Sequence, residues 1–209
     1  MQRTKADLKE SPAVNSQWLR IVAAARQHFF ANGFRGVTMD DIAKELGMSK
    51  KTLYAHFPSK MALVEVVILD KFQDVESELQ QISSGPLADF PRVLQNVLTC
   101  IQGHIGEIHP PFIRDLRREA PEIFKLIEGR RRDIIQRYFG RLLGAGRRAG
   151  IIRKDIPAKV VTDIILSSVQ AIINPSRLEE LGITIKAAYA SIITVILEGL
   201  ITEKGRLKI

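Results

Sequence analysis

Residues 50–56, Lys-Lys-Thr-Leu-Tyr-Ala-His, place two amines, two hydroxyls and an imidazole within two helical turns. Lysine ammonium groups donate to guanine edges or neutralise phosphates, a tyrosine hydroxyl can reach a phosphate oxygen, and a threonine methyl can contact thymine. The alternative is that Lys50 and Lys51 form a solvated helix face and Tyr54 packs on a neighbouring helix. The elements that position these side chains decide between the two interpretations.

A helix-turn-helix pattern surrounds this segment. Apolar residues recur with helical spacing from Met39 to Leu46, and Thr38 with Asp41 forms a capping-box pattern at the start of that helix. Gly47 stands where a left-handed residue ends a helix, and Ser49 is placed to cap a second one. Such a second helix enters the major groove of DNA with its first turn. The pattern therefore favours DNA reading over a solvated face.

The flanking residues sharpen this interpretation. From about Trp18 to Leu69, without a gap, the pattern runs through Ala24–Phe34, Thr38, Ile42-Ala43, Leu46-Gly47, Leu53-Tyr54, His56-Phe57 and Ser59-Lys60. It resembles the N-terminal domain of the tetracycline-repressor (TetR) family of bacterial regulators. The resemblance implies an all-α homodimer with a three-helix DNA-binding domain and a larger C-terminal helical domain for effector binding and dimerisation. It also implies that a small effector weakens DNA binding.

The same resemblance supplies the candidate DNA-binding residues. Matching DNA-contacting positions hold Thr38, Lys50, Thr52, Tyr54, His56 and Lys60, and Ser49 and Lys51 complete the predicted set. Lys60 has a separate physical argument, because Pro58-Ser59 breaks the second helix and places this lysine at the cationic start of a third. The alternative for Lys60 is a lysine that only solubilises a helix start. The operator sequence is not inherited, since the family's recognition positions vary.

Charge and composition agree with a folded nucleic-acid-binding protein. The chain has 209 residues, 45% of them hydrophobic, and a formal net charge of +8. Residues 1–60 hold 10 basic and 5 acidic side chains, whereas the remainder holds 21 and 18. The basic excess is concentrated where a DNA-binding footprint is expected. Charge alone leaves an acidic ligand or a membrane surface open as partners.

The expected organisation is an arm, two domains and a connecting helix. Residues 1–15 form a loose arm, 16–60 the DNA-binding domain, 61–85 a connecting helix and 86–209 the effector-binding and dimerisation domain. Helices are expected near 16–32, 39–46, 50–56, 59–82, 87–107, 111–119, 122–148, 157–173 and 184–204. Prolines and the Ser83-Ser-Gly-Pro86 break separate them.

The C-terminal domain carries two further predicted surfaces. The dimer interface is predicted from apolar and small residues on the last two helices: Val161, Ile165, Ser168, Ile172, Ala188, Ser191, Ile192, Val195 and Gly199. The alternative is that both helices are internal core. Candidate effector-binding residues are His104, Phe112, Leu116, Tyr138, Leu142 and Val169. The arginines Arg114, Arg117, Arg118 and Arg130–Arg132 either hold an anionic ligand or form solvated helix faces.

Other functional classes have weaker support. The four histidines show no three- or four-residue spacing, so no metal site is predicted, and Cys100, the single cysteine, is expected to be buried without an activating histidine. Gly144–Gly150 lacks dinucleotide-binding spacing and looks like a fraying helix end. An enzyme and a cofactor are therefore not expected. The main rival is a nonspecific architectural DNA-binding protein.

The expected partners are a double-stranded DNA operator, a second copy of the chain and an unidentified small-molecule effector. No membrane partner is expected, because the most apolar window, 183–201, contains Lys186 and Glu198. A single cysteine and the absence of a visible targeting segment favour the cytoplasm.

Overall fold

The computed structural model describes residues 12–84 and 90–203, with side chains from Ser16 onward, and within these ranges the all-α prediction is confirmed. The helices are α1 (Pro12–Asn32), α2 (Met39–Glu45), α3 (Lys50–His56), α4 (Lys60–Ser83), α5 (Phe90–Gly106), α6 (Pro110–Glu119), α7 (Pro121–Ile134), α8 (Gly140–Arg148), α9 (Ala158–Ile172), α10 (Pro175–Leu181) and α11 (Ile185–Leu200). A five-residue π-helical turn, Ile135–Phe139, joins α7 to α8.

The first hydrophobic core holds α1, α2, α3 and the first turns of α4 together. Phe29, Ile42, Leu53 and Leu63 are fully buried in it, and Trp18 packs on Phe57 with ring centroids 6.0 Å apart. The residues that the resemblance assigns to this small core are buried here: Phe29, Ile42, Ala43, Leu53 and Phe57. We call α1–α3 with the start of α4 the head.

The buried cluster of the head also includes side chains from α6 and α7. Phe112, Leu116 and Ala120 of the α6 region, with Ile123 of α7, belong to the same buried cluster. The helix α4 contributes its first turns to this cluster and Leu79 to the second core. A 24-residue helix is about 36 Å long, so α4 is a rigid strut shared by both cores.

The second core is built from α5, α8, α9, α11 and the π-helical turn. Its buried side chains include Phe90, Leu94, Leu143 and Ile165. An isolated antiparallel bridge pairs Ile152 with Ile201, and α11 ends at Leu200, four residues before the expected position. These backbone bonds tie the chain after α11 to the turn after α8.

Three further element boundaries differ from expectation. α1 includes residues from Pro12, because proline suits the first helical position, so part of the expected arm is helical. The helix expected at 122–148 is interrupted by the π-helical turn. α10 was not expected, although Asn174 caps it, Pro175 opens it and Gly182 ends it with a φ of +63°. Residues 1–11, 85–89 and 204–209 lie outside the described residues.

Gly146 allows α8 to approach its neighbours closely, which makes it a structural position and not a frayed end. A Cβ built here would lie 2.7 Å from Phe90 Cζ and still closer to the Ile152 side chain. Gly146→Ala should therefore lower the free energy of unfolding by about 1–3 kcal/mol through overpacking. Urea denaturation of the purified protein measures this loss.

The matched control for that change is Gly144→Ala in the same helix. A Cβ at Gly144 would meet only the flexible end of Arg148, at 3.5 Å. The control should be neutral or more stable by up to about 1 kcal/mol, since alanine favours helix. Equal stability of the two variants would contradict the close-packing argument.

Within residues 12–84 and 90–203, no single helix is long and apolar enough to cross a membrane. Two strongly bent helix pairs, α3 with α4 and α10 with α11, reach the required length and hydropathy only when each pair is taken together.

Candidate nucleic-acid interface and ligand cavity

The predicted capping box at the start of α2 is confirmed. The Thr38 hydroxyl accepts from the Asp41 backbone N–H at 3.2 Å, and the Asp41 carboxylate accepts from the Thr38 N–H at 2.8 Å. The Thr38 hydroxyl also donates to that carboxylate at 2.6 Å. Hydrogen bonds from Thr38 lower the pKa of Asp41. Thr38 thus fixes the start of α2 at the head's surface.

The turn between α2 and α3 has the predicted geometry. Gly47 has a φ of +63°, and the Met48 N–H returns to the Ala43 carbonyl at 2.9 Å. Ser49 caps α3 by accepting from the Thr52 N–H at 3.1 Å. This turn sets the angle at which α3 leaves α2, so it determines which side chains face outward.

The outward face of α3 carries Lys50, Lys51 and Tyr54, all exposed. Tyr54 is 46% exposed, so the alternative in which it packs on a neighbouring helix is wrong. Lys50 forms an ion pair with Asp40 of α2. Thr52 and His56 are half-buried: the Thr52 hydroxyl lies 2.8 Å from the Ser49 hydroxyl, and His56 Nε2 lies 3.3 Å from Gln17 Oε1.

Lys60 sits at the start of α4, which Ser59 caps by accepting from the Ala62 N–H at 3.1 Å. Its ammonium lies over the Phe34 ring, 4.1 Å from the centroid. Burial lowers the pKa of Lys60, although nearby carboxylates oppose that shift. The side chain therefore rests against the head, and a phosphate contact, which stays a prediction, would require it to swing outward.

A largely apolar cavity of about 200 Å³ lies between α4, α5, α6, α7, α9, α11 and the π-helical turn. Four of the predicted effector-binding residues line it: His104, Phe112, Tyr138 and Val169. Leu116 and Leu142 do not. Leu116 is fully buried in the first core and Leu142 is packed into the second, so both sit among other side chains instead.

A polar cluster occupies part of the cavity wall. Lys71 is 5% exposed, with Nζ 2.6 Å from Glu107 Oε2 and 2.7 Å from His104 Nδ1. Because an ammonium only donates, His104 Nδ1 must accept, and Nε2 then donates to Glu78 at 2.9 Å. Burial lowers the pKa of Lys71. Burial alone would raise the pKa of Glu107, but hydrogen bonds from Lys71 and Arg26 hold it below its usual value.

The polar cluster reaches the head through Arg26 of α1. Its guanidinium donates to Glu107 at 3.0 Å and also forms an ion pair with Asp74 of α4. A chain of charges thus runs from the cavity wall through Glu107 to α1. No local sequence pattern predicts this link, because its members lie far apart along the chain.

Cys100 has a histidine one turn away, so the expectation of no such neighbour was wrong. Cys100, His104 and Glu78 bring their ligand atoms within 4.8 Å of one another. The four-residue spacing of Cys100 and His104 was the available signal. Burial raises the pKa of the thiol to about 12, and the Lys71 ammonium already occupies His104 Nδ1. The group therefore suits hydrogen bonding better than cation binding.

Arg131 is the second cation on the cavity wall. It lines the cavity, whereas its neighbours Arg130 and Arg132 are exposed. Burial lowers the pKa of Arg131. Arg114, Arg117 and Arg118 of α6 are exposed, as expected for a solvated helix face.

Comparisons with known proteins agree with this architecture. The family model for bacterial regulatory proteins of the tetR family matches residues 21–67, which span most of the head. The regulator UidR of Escherichia coli K12 is 25% identical over 190 residues, covering 88% of this chain and 92% of UidR. This chain belongs to the TetR family of transcriptional regulators.

Solved structures extend the likeness of this TetR-family regulator to its C-terminal half. A TetR-family regulator from Agrobacterium tumefaciens superposes with a TM-score of 0.68 at 19% identity, over 90% of this chain and 99% of the other. The ketosteroid transcriptional regulator KstR2 of Mycobacterium tuberculosis gives 0.56 at 21% identity, over 90% and 97%. At these identities the likeness concerns the fold.

The TetR-family regulator presents an exposed stripe on α9 and α11. Val160, Ile164 and Val195 are 45%, 48% and 72% exposed. Of the nine predicted interface residues, Ser191, Val195 and Gly199 are exposed, and Ser168 and Ile172 are half-buried. The other four, Val161, Ile165, Ala188 and Ile192, are core residues of the protomer. The predicted set therefore mixed residues of the inward face of α9 and α11 with residues of their outward face.

Helix α6 links the lining of the cavity to the head of this TetR-family regulator. The Phe112 ring lines the cavity and lies 5.1 Å from the Phe30 ring of α1. The buried Asp115 carboxylate accepts from the Arg35 N–H at 2.9 Å, and the His109 N–H donates to the Phe30 carbonyl at 3.1 Å. Sequence reasoning missed Asp115, since a single aspartate on a basic helix carries no functional pattern.

Proposed function

We propose that this protein is a transcriptional repressor that binds a near-palindromic operator as a homodimer and is released by a small molecule. The observation that carries the proposal is one chain with both an exposed cationic helix, α3, and an apolar cavity fastened to the head by Phe112. An architectural DNA-binding protein needs phosphate contacts but no ligand cavity. The proposed function involves no catalysis. Because the proposed target is an operator in bacterial DNA, the protein acts in the cytoplasm.

The proposed DNA-binding residues lie on α3 and at the starts of α2, α3 and α4: Thr38, Ser49, Lys50, Lys51, Thr52, Tyr54, His56 and Lys60. The first turn of α3 enters the major groove, and Lys51 and Tyr54 are the exposed groups that need no rearrangement to reach DNA. On binding, Lys50 gives up its ion pair with Asp40 to contact DNA. Lys60 likewise moves away from the Phe34 ring to reach a phosphate. Phosphate contacts set register, and base contacts set sequence.

The proposed dimer forms through the outward stripe of α9 and α11. A single head reads few base pairs, so two heads related by a two-fold axis are required for a near-palindrome. The small side chains Ser167, Ser191 and Gly199 allow close helix approach, and the exposed Ile164 and Val195 supply apolar area. In this proposal the C-terminal domain carries both the effector cavity and the dimer interface.

Release follows from coupling between cavity and head. A ligand that binds one conformation better shifts the dimer toward it, and about 1–3 kcal/mol of coupling is typical. Two physical links are available: Phe112 with Asp115 on α6, and Lys71–Glu107–Arg26 between α4, α5 and α1. A shift of either link changes the separation of the two heads.

Selection of bound sequences from a random DNA pool tests the repressor proposal. The expected result is a near-palindromic site that binds at least about 1,000-fold tighter than random DNA at several salt concentrations. Similar affinity for selected and random DNA would support the architectural alternative instead. A reporter gene under the selected operator then measures repression, and activation by the protein would contradict the repressor role.

Lys51→Ala probes the proposed α3 contact. Removing one cationic contact should weaken operator binding and reduce the slope of log affinity against log salt by about one unit. Lys159→Ala, an exposed lysine of α9, removes the same charge away from the head and is the control. Fluorescence anisotropy with labelled operator gives both quantities, and equal slopes for the two variants would remove Lys51 from the interface.

A further inference from the structure

We propose that the ligand of the cavity is an apolar molecule with a single carboxylate, and that Arg131 binds this carboxylate. The inference rests on the proposed function, because it names the effector class for the same cavity. It begins from the contrast between the cavity's aliphatic and aromatic wall and the two cations that interrupt it, Lys71 and Arg131.

The two cations differ in how closely neighbouring hydrogen-bond acceptors and carboxylates approach them. Lys71 has Glu107 at 2.6 Å and His104 at 2.7 Å, so its charge and donors are already engaged. In the described part of the chain, the ionic contact of Arg131 is with Glu128 at 3.7 Å, longer than a hydrogen bond. Glu128 also accepts from Gln170 at 3.2 Å. Arg131 therefore keeps donors to spare beside an apolar cavity.

The Arg131 side chain is half-buried, and a poorly matched guanidinium there is costly unless an anion joins it. Its planar fork of N–H donors fits a carboxylate through two parallel hydrogen bonds. One poorly matched positive charge calls for one negative charge. A phosphate monoester carries about −1.5 to −2 and would remain under-neutralised. The apolar wall accommodates the remainder of such a ligand, because its burial removes hydrocarbon from water.

The position of Arg131 also suits a residue that anchors an effector. Arg131 lies one turn before the π-helical turn, whose Ile135, Tyr138 and Phe139 share the cavity wall. The cavity continues to Phe112, which contacts the head. A ligand anchored at Arg131 therefore presents its apolar body to the residues that couple to α1.

Isothermal titration calorimetry on the full chain tests the inference with two matched ligand pairs. Decanoate is compared with 1-decanol, and 2-naphthoate with 2-naphthol. The acid of at least one pair should bind at least 10-fold tighter than its alcohol. Arg131→Gln should abolish that preference, whereas Arg131→Lys should retain part of it. Arg130→Gln, an exposed neighbour, should behave like the unchanged protein.

Three outcomes would overturn the inference: neither acid binds, the alcohols bind as tightly, or Arg131→Gln keeps the preference for acid. Thermal melts of each variant verify folding, and Arg131→Lys provides the test if the glutamine variant is unstable. Operator release is measured separately. Release by a neutral ligand, unaffected by Arg131→Gln, would reject the carboxylate while leaving the proposed function intact.

Discussion

Val195→Glu should convert the protein to a monomer and weaken its operator binding by at least about 100-fold. Val195 is 72% exposed on the outward face of α11, near the small Ser191 and Gly199. In the proposed dimer, a two-fold axis brings this patch against its own copy, so two glutamates would be buried against each other. Burying unpaired charge is costly, and the loss of one half-site removes much of the specificity.

Sedimentation equilibrium and operator anisotropy measure the two effects on the same samples. Leu181→Glu is the matched control, since Leu181 is 45% exposed on α10, outside the α9–α11 stripe. That variant should remain dimeric with unchanged operator affinity. A Val195→Glu protein that stays dimeric would show that α11 is not the interface, and a monomer with full affinity would contradict the need for two heads.

Phe112→Ala should lower the free energy of unfolding by about 3–5 kcal/mol, the range for a large aromatic removed from a core. Phe112 is 1% exposed and packs on Phe30 and Phe29, with centroids 5.1 and 6.4 Å away. Because this ring fills space between the head and α6, its loss should destabilise both cores in one cooperative transition. Urea denaturation followed by circular dichroism and by Trp18 fluorescence measures this.

Phe124→Ala is the control, because Phe124 is only half-buried on α7 and packs against Arg117. It should cost clearly less stability. If Phe112→Ala melted the head first, with Trp18 fluorescence changing before helix content, the two cores would be independent. That result would also remove Phe112 from the proposed coupling path.

The local features of the head could be predicted from the sequence. Thr38 with Asp41, Gly47 and Ser49 each satisfy backbone groups within a few residues, so their geometry follows from short-range rules. The exposed position of Tyr54 follows in the same way from helical spacing within α3. The family resemblance rests on this region, where the local signals are dense.

The cavity and the α9–α11 surface were predicted only in part. Helical spacing identifies an apolar stripe, but a wide stripe on α9 does not say which edge faces the protomer's own core. The outcome depended on the packing of α11 and α8 against it, which buried Val161 and Ile165 and left Ile164 outside. Leu116 and Leu142 missed the cavity for the same reason.

The sequence by itself determined that this chain has a capped helix-turn-helix with a cationic second helix, because those interactions are local. Only the tertiary structure decided that Lys60 rests on Phe34, that Arg131 lines the cavity while Arg130 does not, and that Arg26 joins the head to Glu107. Each of these depends on contacts between elements distant in the chain. Their energies depend on burial, which no single segment sets alone.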